Sequence, residues 1–246
     1  MPFFTLGDPS FDSSWELIKS AIDAGADCLE LGIPFSDPIA DGPVNQRSMV
    51  RALSAGMDFE SCLDLIKKIR DYAPSCPIGL LLYYNVIYHR GLEQAVLDLS
   101  QAGVDAIVCG DLPIQEGENF DRCCERVGIA PVYILAPNTP DLRALEIMRR
   151  SNQAYTYVLS GLGVTGVKDR VAPETISRVQ HLRLLDPSAH MIVGFGISKP
   201  EQVKAIWAAG ADGAVVGSYF SNLIEKNLGD LNKAQNLIKK FIEDLG

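Results

Sequence analysis

The hydrophobic pattern along the chain alternates between short apolar runs and longer amphipathic segments. The apolar runs have the length of strands and show little polar alternation, which is typical of parallel strands covered on both faces. The predicted strands are Phe3–Leu6, Cys28–Leu31, Ile78–Tyr83, Ala106–Cys109, Val132–Leu135, Tyr155–Leu159, Met191–Gly194 and Ala214–Val216. The segments between them have apolar residues three and four apart, which predicts helices with one buried face. Examples are Trp15–Ala24, Phe59–Arg70, Leu92–Ala102, Leu142–Arg149 and Pro200–Ala209.

Eight predicted strands with seven helical connections indicate an α/β fold, namely one (β/α)8 TIM barrel domain over residues 1–246. An open doubly wound sheet is the alternative, although it would normally need fewer strands. The pattern of Leu231–Leu245 predicts an extra C-terminal helix outside the barrel. A repeat supports the strand count, because an Ala-Gly-x-Asp tetrapeptide starts at Ala24, Ala102 and Ala209, each before a predicted strand. We interpret its glycine as a helix cap, with no part in ligand binding.

Composition narrows the class of protein. The net charge of −9 disfavours a protein that binds the nucleic-acid backbone. The six cysteines form no C-x-x-C pair, so buried free thiols and a reducing, cytoplasmic location are expected. No secretion signal is recognised at the N-terminus, and the longest apolar stretch, around Pro77 to Tyr88, is too short to cross a bilayer. We therefore expect a soluble protein that binds neither nucleic acid nor membrane.

Glycine-rich segments follow the last three predicted strands. They are Gly163–Gly166, Gly194–Ser198 and Gly217-Ser218, the last opening a predicted helix. Barrel active sites lie at the C-terminal ends of the strands, where glycine lets backbone N–H groups approach an anion and a helix N-terminus favours negative charge. One such segment alone would indicate only a turn. Three in consecutive late loops predict a phosphate site.

Two carboxylates are candidates for chemistry. Glu30 lies near the end of an apolar strand, where burial would raise its pKa into the range used for acid–base catalysis; pairing with a lysine or arginine is the structural alternative. Asp41 belongs to Pro34–Pro43, a segment too long for an ordinary turn, and either orients a substrate N–H or forms a turn before Gly42. Asp37 is better explained as a turn residue. The three histidines, in predicted loops or at helix ends, have no ligand spacing, which disfavours a metal mechanism.

The segment from Glu30 to Pro43, ELGIPFSDPIADGP, resembles the signature of the tryptophan synthase α subunit family. Further matches occur in the same order, in Thr5–Pro9, Asp111–Pro113, Gly163–Gly166 and Gly194–Ser198. The resemblance implies a lyase of the carbon–oxygen class in tryptophan biosynthesis. It would cleave indole-3-glycerol phosphate, by a retro-aldol reaction, to indole and glyceraldehyde 3-phosphate. Another phosphate-binding barrel, such as a sugar-phosphate isomerase, lacks support from the segment between Asp37 and Pro43.

The resemblance also implies roles for individual residues. Glu30 would be the acid–base that protonates the indole ring, and Asp41 would hold the ring N–H. Other residues would contact the substrate: Phe3, Leu81 and Phe195 around the indole, Tyr83 and Tyr157 beside the carboxylates, Gly166, Gly196, Gly217 and Ser218 at the phosphate, and Thr165 in the closing loop. Pro34 and Asp37 would lie at the interface with a β subunit, in an α2β2 heterotetramer. No cofactor is implied in this subunit, whereas the β partner would carry pyridoxal phosphate.

Two departures from the family pattern bear on activity. Relatives usually have an arginine after the serine that matches Ser160, whereas this chain has Gly161-Leu162, which should loosen the loop that closes over substrate. The sequence also begins at its first strand, where relatives have a preceding helix. These departures leave an alternative open, in which the chain is a weakly catalytic regulatory subunit that mainly activates β. Intact Glu30 and Asp41 favour the lyase.

Overall fold

The computed structural model describes residues 1–161, 171–194 and 196–245. Within them, nine strand segments pair in parallel as two sheets, in the orders β1 to β5 and β6 to β9. They are β1 (Phe3–Thr5), β2 (Leu29–Gly32), β3 (Ile78–Leu82), β4 (Ala106–Cys109), β5 (Ala130–Val132), β6 (Ile134–Leu135), β7 (Thr156–Leu159), β8 (Met191–Gly194) and β9 (Gly213–Ala214). Each lies in or within two residues of a strand expected from the apolar runs.

The two sheets form a closed barrel of eight strand positions. β5 and β6 are one strand interrupted at Tyr133, where the sequence had predicted a single run. The first and last strands meet through a parallel bridge between Pro2 and Val216, and the Phe3 N–H donates to the Val216 carbonyl at 3.0 Å. The open doubly wound sheet is therefore excluded, and the predicted (β/α)8 barrel is confirmed.

Helices surround the barrel, and most of them bury one apolar face. They are α1 (Phe11–Asp23), α2 (Pro43–Ser54), α3 (Phe59–Tyr72), α4 (Tyr84–Arg90), α5 (Leu92–Ala102), α6 (Glu118–Arg126), α7 (Asp141–Arg150), α8 (Pro173–Leu185), α9 (Pro200–Ala208), α10 (Ser218–Lys226) and α11 (Leu231–Glu243). The C-terminal helix α11 packs on α1 and α10, outside the strands, as expected. No helix of the described ranges is both long and apolar enough to cross a membrane.

The Ala-Gly-x-Asp repeat lies at the N-terminal ends of the strands, which we call the floor of the barrel. Gly25, Gly103 and Gly210 all have positive φ, between 91° and 104°, a conformation that residues with a side chain rarely adopt. This confirms the repeat as a structural device that turns the chain from a helix into a strand.

Two arginines stabilise the floor in the same manner. The Arg70 guanidinium donates to the carbonyl of Gly103 and to the carboxylate of Asp105, at 2.7 and 2.6 Å. Arg183 repeats these contacts with Gly210 and Asp212, at 2.8 and 2.7 Å. Each guanidinium also reaches two carbonyls in the loop that follows its own helix. These paired groups hold the helices to the strands at the end opposite the glycine-rich loops.

Candidate active site

A cleft opens at the C-terminal ends of the strands, which we call the mouth of the barrel. Its empty volume, including the opening to solvent, is about 630 Å³. The lining residues are Phe3, Glu30, Ala40, Asp41, Gly42, Asn45, Leu81, Tyr83, Gly110, Ile134, Tyr157, Gly196, Val215, Gly217 and Ser218. Nine of these were predicted as site residues: Phe3, Glu30, Asp41, Leu81, Tyr83, Tyr157, Gly196, Gly217 and Ser218. The barrel therefore brings together side chains that are far apart in the sequence.

Strand register places Glu30 inside the barrel. Glu30 pairs with Phe3 of β1 and with Gly79 of β3, and it is 1% exposed. Its Oε1 atom has no hydrogen-bond partner, and no lysine or arginine of the described residues forms an ion pair with it. Burial, with a contribution from the Asp41 charge, raises the pKa of Glu30 to about 8. The alternative of a structural ion pair therefore fails, and the raised pKa expected from the sequence is present.

Asp41 is held at the edge of the same cleft by neutral donors. The Tyr83 hydroxyl donates to Asp41 Oδ2 at 2.6 Å, and Asn45 Nδ2 donates to Oδ1 at 3.0 Å. Gln46 Nε2 donates to the Asp41 carbonyl at 2.9 Å. Burial raises the pKa of Asp41, while the bonds from Tyr83 and Asn45 oppose that rise because they favour the ionised carboxylate. Asp41 is thus a buried acceptor aimed into the cleft, as well as part of a turn before Gly42.

Tyrosines complete the interior around the two carboxylates. Burial and the nearby Asp41 charge raise the pKa of Tyr83, and burial and Glu30 raise that of Tyr157. Both phenols therefore keep their protons at neutral pH. Gly194 makes room for Tyr157, since a Cβ at that position would overlap the Tyr157 hydroxyl.

Described residues of two glycine-rich segments, Gly196 and Gly217-Ser218, lie in the lining of the cleft. Gly217 precedes α10, and no side chain of the described residues caps the first turn of this helix, which leaves its N–H groups suited to an anion. Ser218 is its first residue, and Gly196 has a φ of 75°. The arrangement fits a phosphate group. Thr165, Gly166 and Phe195, which were also predicted to bind substrate, lie outside the described residues.

The two residues predicted at the partner interface, Pro34 and Asp37, differ in exposure within the segment before α2. Pro34 is buried, whereas Asp37 and Ile39 are exposed, Ile39 by 80%. Asp37 also accepts a short bond from the Ser36 hydroxyl, at 2.5 Å. Pro34 would thus act at an interface through the shape of the loop, and Asp37 through direct contact.

Asn45 is the polar residue of the cleft that the sequence analysis did not identify. Pro43 at the first position of α2 was a usable signal, since proline favours the start of a helix. With α2 starting there, Asn45 lies four residues after Asp41 and reaches back to it. The others missed, Ala40, Gly42, Gly110, Ile134 and Val215, shape the cleft with little polar chemistry.

The described residues contain no group of three or more His, Cys, Asp or Glu placed to hold a metal ion. The expected histidine positions were wrong for His181, which lies inside α8 and contacts Asp141 at 3.0 Å. The apolar residues of α8 do not recur on one face, so the sequence pattern did not show where this helix lies. His181 lies outside the cleft lining.

Comparison with known proteins agrees with this geometry. The family model described as "Tryptophan synthase alpha chain" matches residues 1–245. The chain is 43% identical over 230 residues to the tryptophan synthase alpha chain of Methanothermobacter thermautotrophicus, covering 94% of this chain and 84% of the relative. It is 40% identical over 245 residues to that of Escherichia coli (strain SMS-3-5 / SECEC), covering 100% and 91%.

Solved structures extend the similarity to the fold. The tryptophan synthase complex from Pyrococcus furiosus superposes with a TM-score of 0.89 at 33% identity, over 99% of this chain and 96% of that chain. The fold, the cleft and the sequence similarity thus coincide over the same residues. The chain belongs to the tryptophan synthase alpha chain family, whose members are lyases of tryptophan biosynthesis.

Proposed function

We propose that this chain cleaves indole-3-glycerol phosphate to indole and glyceraldehyde 3-phosphate. The observation that carries the proposal is Glu30: a buried, unpaired carboxyl group with a pKa of about 8, in the same cleft as Asp41. A carboxylic acid that keeps its proton at neutral pH can donate it to a carbon atom. Family membership supplies the substrate that such an acid would act on.

In this proposal Glu30 both gives and regains a proton. The protonated Glu30 donates to the indole ring carbon that bears the glycerol side chain. The bond between that carbon and the side chain then breaks, and its electrons restore the aromatic ring. The hydroxyl on the departing side-chain carbon becomes the aldehyde and returns a proton to the Glu30 carboxylate. The reaction therefore balances without a redox partner, and we propose that it uses no cofactor in this subunit.

Asp41 would stabilise the charge that develops between these steps. Protonation at the ring carbon makes the ring nitrogen part of a cation, whose N–H the Asp41 carboxylate accepts. Because the described residues hold Asp41 through neutral donors and form no ion pair with it, they leave its negative charge uncompensated in a buried site. Such preorganised charge stabilises a transition state more than water would. Phe3, Leu81 and Tyr157 would enclose the indole ring.

The phosphate would bind at Gly196, Gly217 and Ser218, together with Gly166. A crystal soaked with glycerol phosphate tests this, with an anion expected on the backbone N–H groups at the start of α10. An anion found elsewhere, or none, would contradict the phosphate site without touching the acid–base assignment.

We further propose that the chain assembles with a β subunit that carries pyridoxal phosphate, in an α2β2 heterotetramer. A structural relative at 33% identity is the α2β2 tryptophan synthase complex of Pyrococcus furiosus, in which mutual activation is described. Exposed Asp37 and Ile39, beside the buried Asp41, provide a surface through which a partner can order the loop. The six free cysteines suit a reducing, cytoplasmic location.

The alternative of a weakly catalytic regulatory subunit is favoured by one observation, the glycine at position 161. A Cβ there would meet no atom of the described residues within 4 Å, so those residues leave space where relatives have an arginine. A single-turnover assay of the isolated chain separates the two functions. The lyase releases one equivalent of indole per active site without β. Release of indole only in the presence of β would support the regulatory alternative.

A further inference from the structure

The structure assigns a further role at this site to Asn45. We propose that Asn45 is a positioning residue, whose side-chain N–H fixes the Asp41 carboxylate in the orientation that receives the substrate's ring N–H. The inference deepens the proposed function and rests on it for the identity of the substrate. It rests on contacts of the described residues for the role of Asn45.

The geometry around Asp41 leaves few ways to hold its carboxylate. Its two oxygens receive one donor each, Tyr83 on Oδ2 and Asn45 on Oδ1. Tyr83 approaches from the end of β3, and Asn45 from the first turn of α2, so the carboxylate is fixed from two directions. Without Asn45, rotation about the side-chain bonds of Asp41 would be opposed on only one oxygen.

The amide of Asn45 is itself incompletely satisfied. Its Nδ2 faces Asp41, while its Oδ1 is buried without a hydrogen-bond partner. An unpaired buried carbonyl oxygen costs stability, and an apolar side chain of similar size would avoid that cost. Glu30 Oε1 in the same cleft is also unpaired. Asn45 thus combines one unfavourable buried atom with one bond to the Asp41 carboxylate, and this combination favours a role in positioning Asp41.

The choice of an amide also fits the charges that face Asp41. Those groups are Glu30 from β2, Tyr83 beyond β3 and Tyr157 from β7. A lysine or arginine in place of Asn45 would neutralise Asp41 and weaken its hold on a cationic intermediate. A neutral N–H favours the ionised form of Asp41 and keeps its full charge. That charge in turn helps to raise the pKa of Glu30 to about 8.

The test compares Asn45→Leu with wild type in the complete chain. We expect kcat for indole release to fall about 10- to 100-fold, since a hydrogen bond to a charged group is lost, with KM nearly unchanged. The acid limb of the pH–rate profile should move to higher pH, because the pKa of Asp41 rises further. The melting temperature at neutral pH should fall only modestly, because removing the unpaired Asn45 Oδ1 offsets part of the bond lost at Asp41. Asn45→Gln, which keeps an amide N–H, should recover part of kcat.

Two further measurements keep the proposal falsifiable. Asn227→Leu removes a comparable amide bond, to the Leu223 carbonyl at the far end of α10, and should leave kcat and the pH profile unchanged. Carbon-13 NMR of the Asp41 carboxyl group, without substrate, should show a higher pKa in Asn45→Leu than in wild type. Asn45→Ala serves the same purpose if the leucine variant does not fold.

The outcomes for the two proposals are distinguishable. An unchanged Asp41 titration in these variants, or a fall in melting temperature that accounts for the whole loss of rate, would overturn the role of Asn45. A wild-type chain that releases no indole under any condition would overturn the proposed function, while the NMR titration would still decide whether Asn45 controls Asp41.

Discussion

The two ends of this barrel hold carboxylates in opposite ways, exposed and paired at the floor but buried at the mouth. At the floor, the carboxylates of Asp105 and Asp212 each pair with an arginine and also accept a backbone N–H from the start of the preceding strand, at 2.7 and 2.8 Å. At the mouth, Glu30 forms no ion pair with a lysine or arginine of the described residues, and its Oε1 has no hydrogen-bond partner. A carboxylate thus stabilises the floor, whereas at the mouth burial disfavours the ionised form of Glu30.

The difference shows that burial and partners, and not the carboxyl group itself, decide what such a side chain does. A carboxylate that already binds an arginine and a backbone N–H is engaged in holding the fold. A carboxyl group enclosed by apolar walls and tyrosines keeps its proton and can exchange it. In barrels the mouth is the functional end and the floor the structural one, and the charges of this chain follow that division.

The largest expected effect is a loss of activity at the mouth with the fold kept intact. Glu30→Gln should reduce indole release by about 10²–10⁴-fold, because an amide cannot exchange a proton with the substrate. In wild type, kcat/KM should fall as the pH rises through about 8, where Glu30 loses its proton. Mutant turnover within about tenfold of wild type would contradict the assignment.

Glu30→Gln should lose activity but gain stability relative to wild type as the pH rises. The folded-state pKa of Glu30 lies above its ordinary value of 4.5, at about 8. The stability of wild type relative to Glu30→Gln is therefore present below pH 4.5 and is lost as the pH rises toward 8. Denaturant unfolding at several pH values should show the variant gaining on wild type across this window. A difference independent of pH would mean that Glu30 is not buried and protonated.

Asp41→Asn should lower kcat by about 10²–10³-fold, because a neutral amide stabilises a cationic ring less well than a carboxylate. The bond from Tyr83 can still be accepted by the amide oxygen, so the fold should persist. Steady-state indole release and thermal unfolding check both statements. A normal rate together with a lowered melting temperature would mean that Asp41 serves only as a turn residue.

Substitutions at the floor should lower stability and leave activity nearly unchanged. Arg70→Met and Arg183→Met each remove several hydrogen bonds to carbonyls and one to a carboxylate, so the free energy of unfolding should fall by about 1–3 kcal/mol. The kcat should stay within about twofold, since neither arginine lines the cleft. Arg122→Met, at an exposed pair with Glu118, is the control and should change stability little. A floor variant that loses activity at full stability would refute the division between the ends.

The smallest effect concerns the loop beside the mouth. Gly161→Arg should raise indole release by the isolated chain severalfold, because a long cationic side chain fits the open space at Gly161 and restrains the loop. A β subunit should raise the wild-type rate more, since it orders the loops through interface contacts. Gly161→Met, long but uncharged, separates the effect of the charge from that of losing glycine. Equal wild-type rates with and without β would remove the coupling, whereas failure of Gly161→Arg alone would remove only the loop explanation.

Most of the fold could be predicted because its signals are local. Apolar runs marked every strand to within a few residues, and the repeated glycines marked three strand entries. The helix α8 was counted among the seven connections but its bounds were not predicted, because its apolar residues do not follow one face. The helix α2 was missed because Pro34–Pro43 was interpreted as one long segment that ended in a turn. Glu30 was identified because a single acid in an apolar strand contrasts with its neighbours. Asn45 gave no such contrast, since it matters only through its bond to Asp41.

The sequence by itself determined the barrel, the family resemblance and the two candidate carboxylates, because periodicity, strand count and short motifs are written in neighbouring residues. Only the tertiary structure decided which charges are paired. It placed arginines beside Asp105 and Asp212, and it left Glu30 in an apolar interior with neutral donors around Asp41. The reason is physical: a pKa depends on burial and on charges within a few ångströms. Those distances are set by strands and helices that lie far apart in the chain.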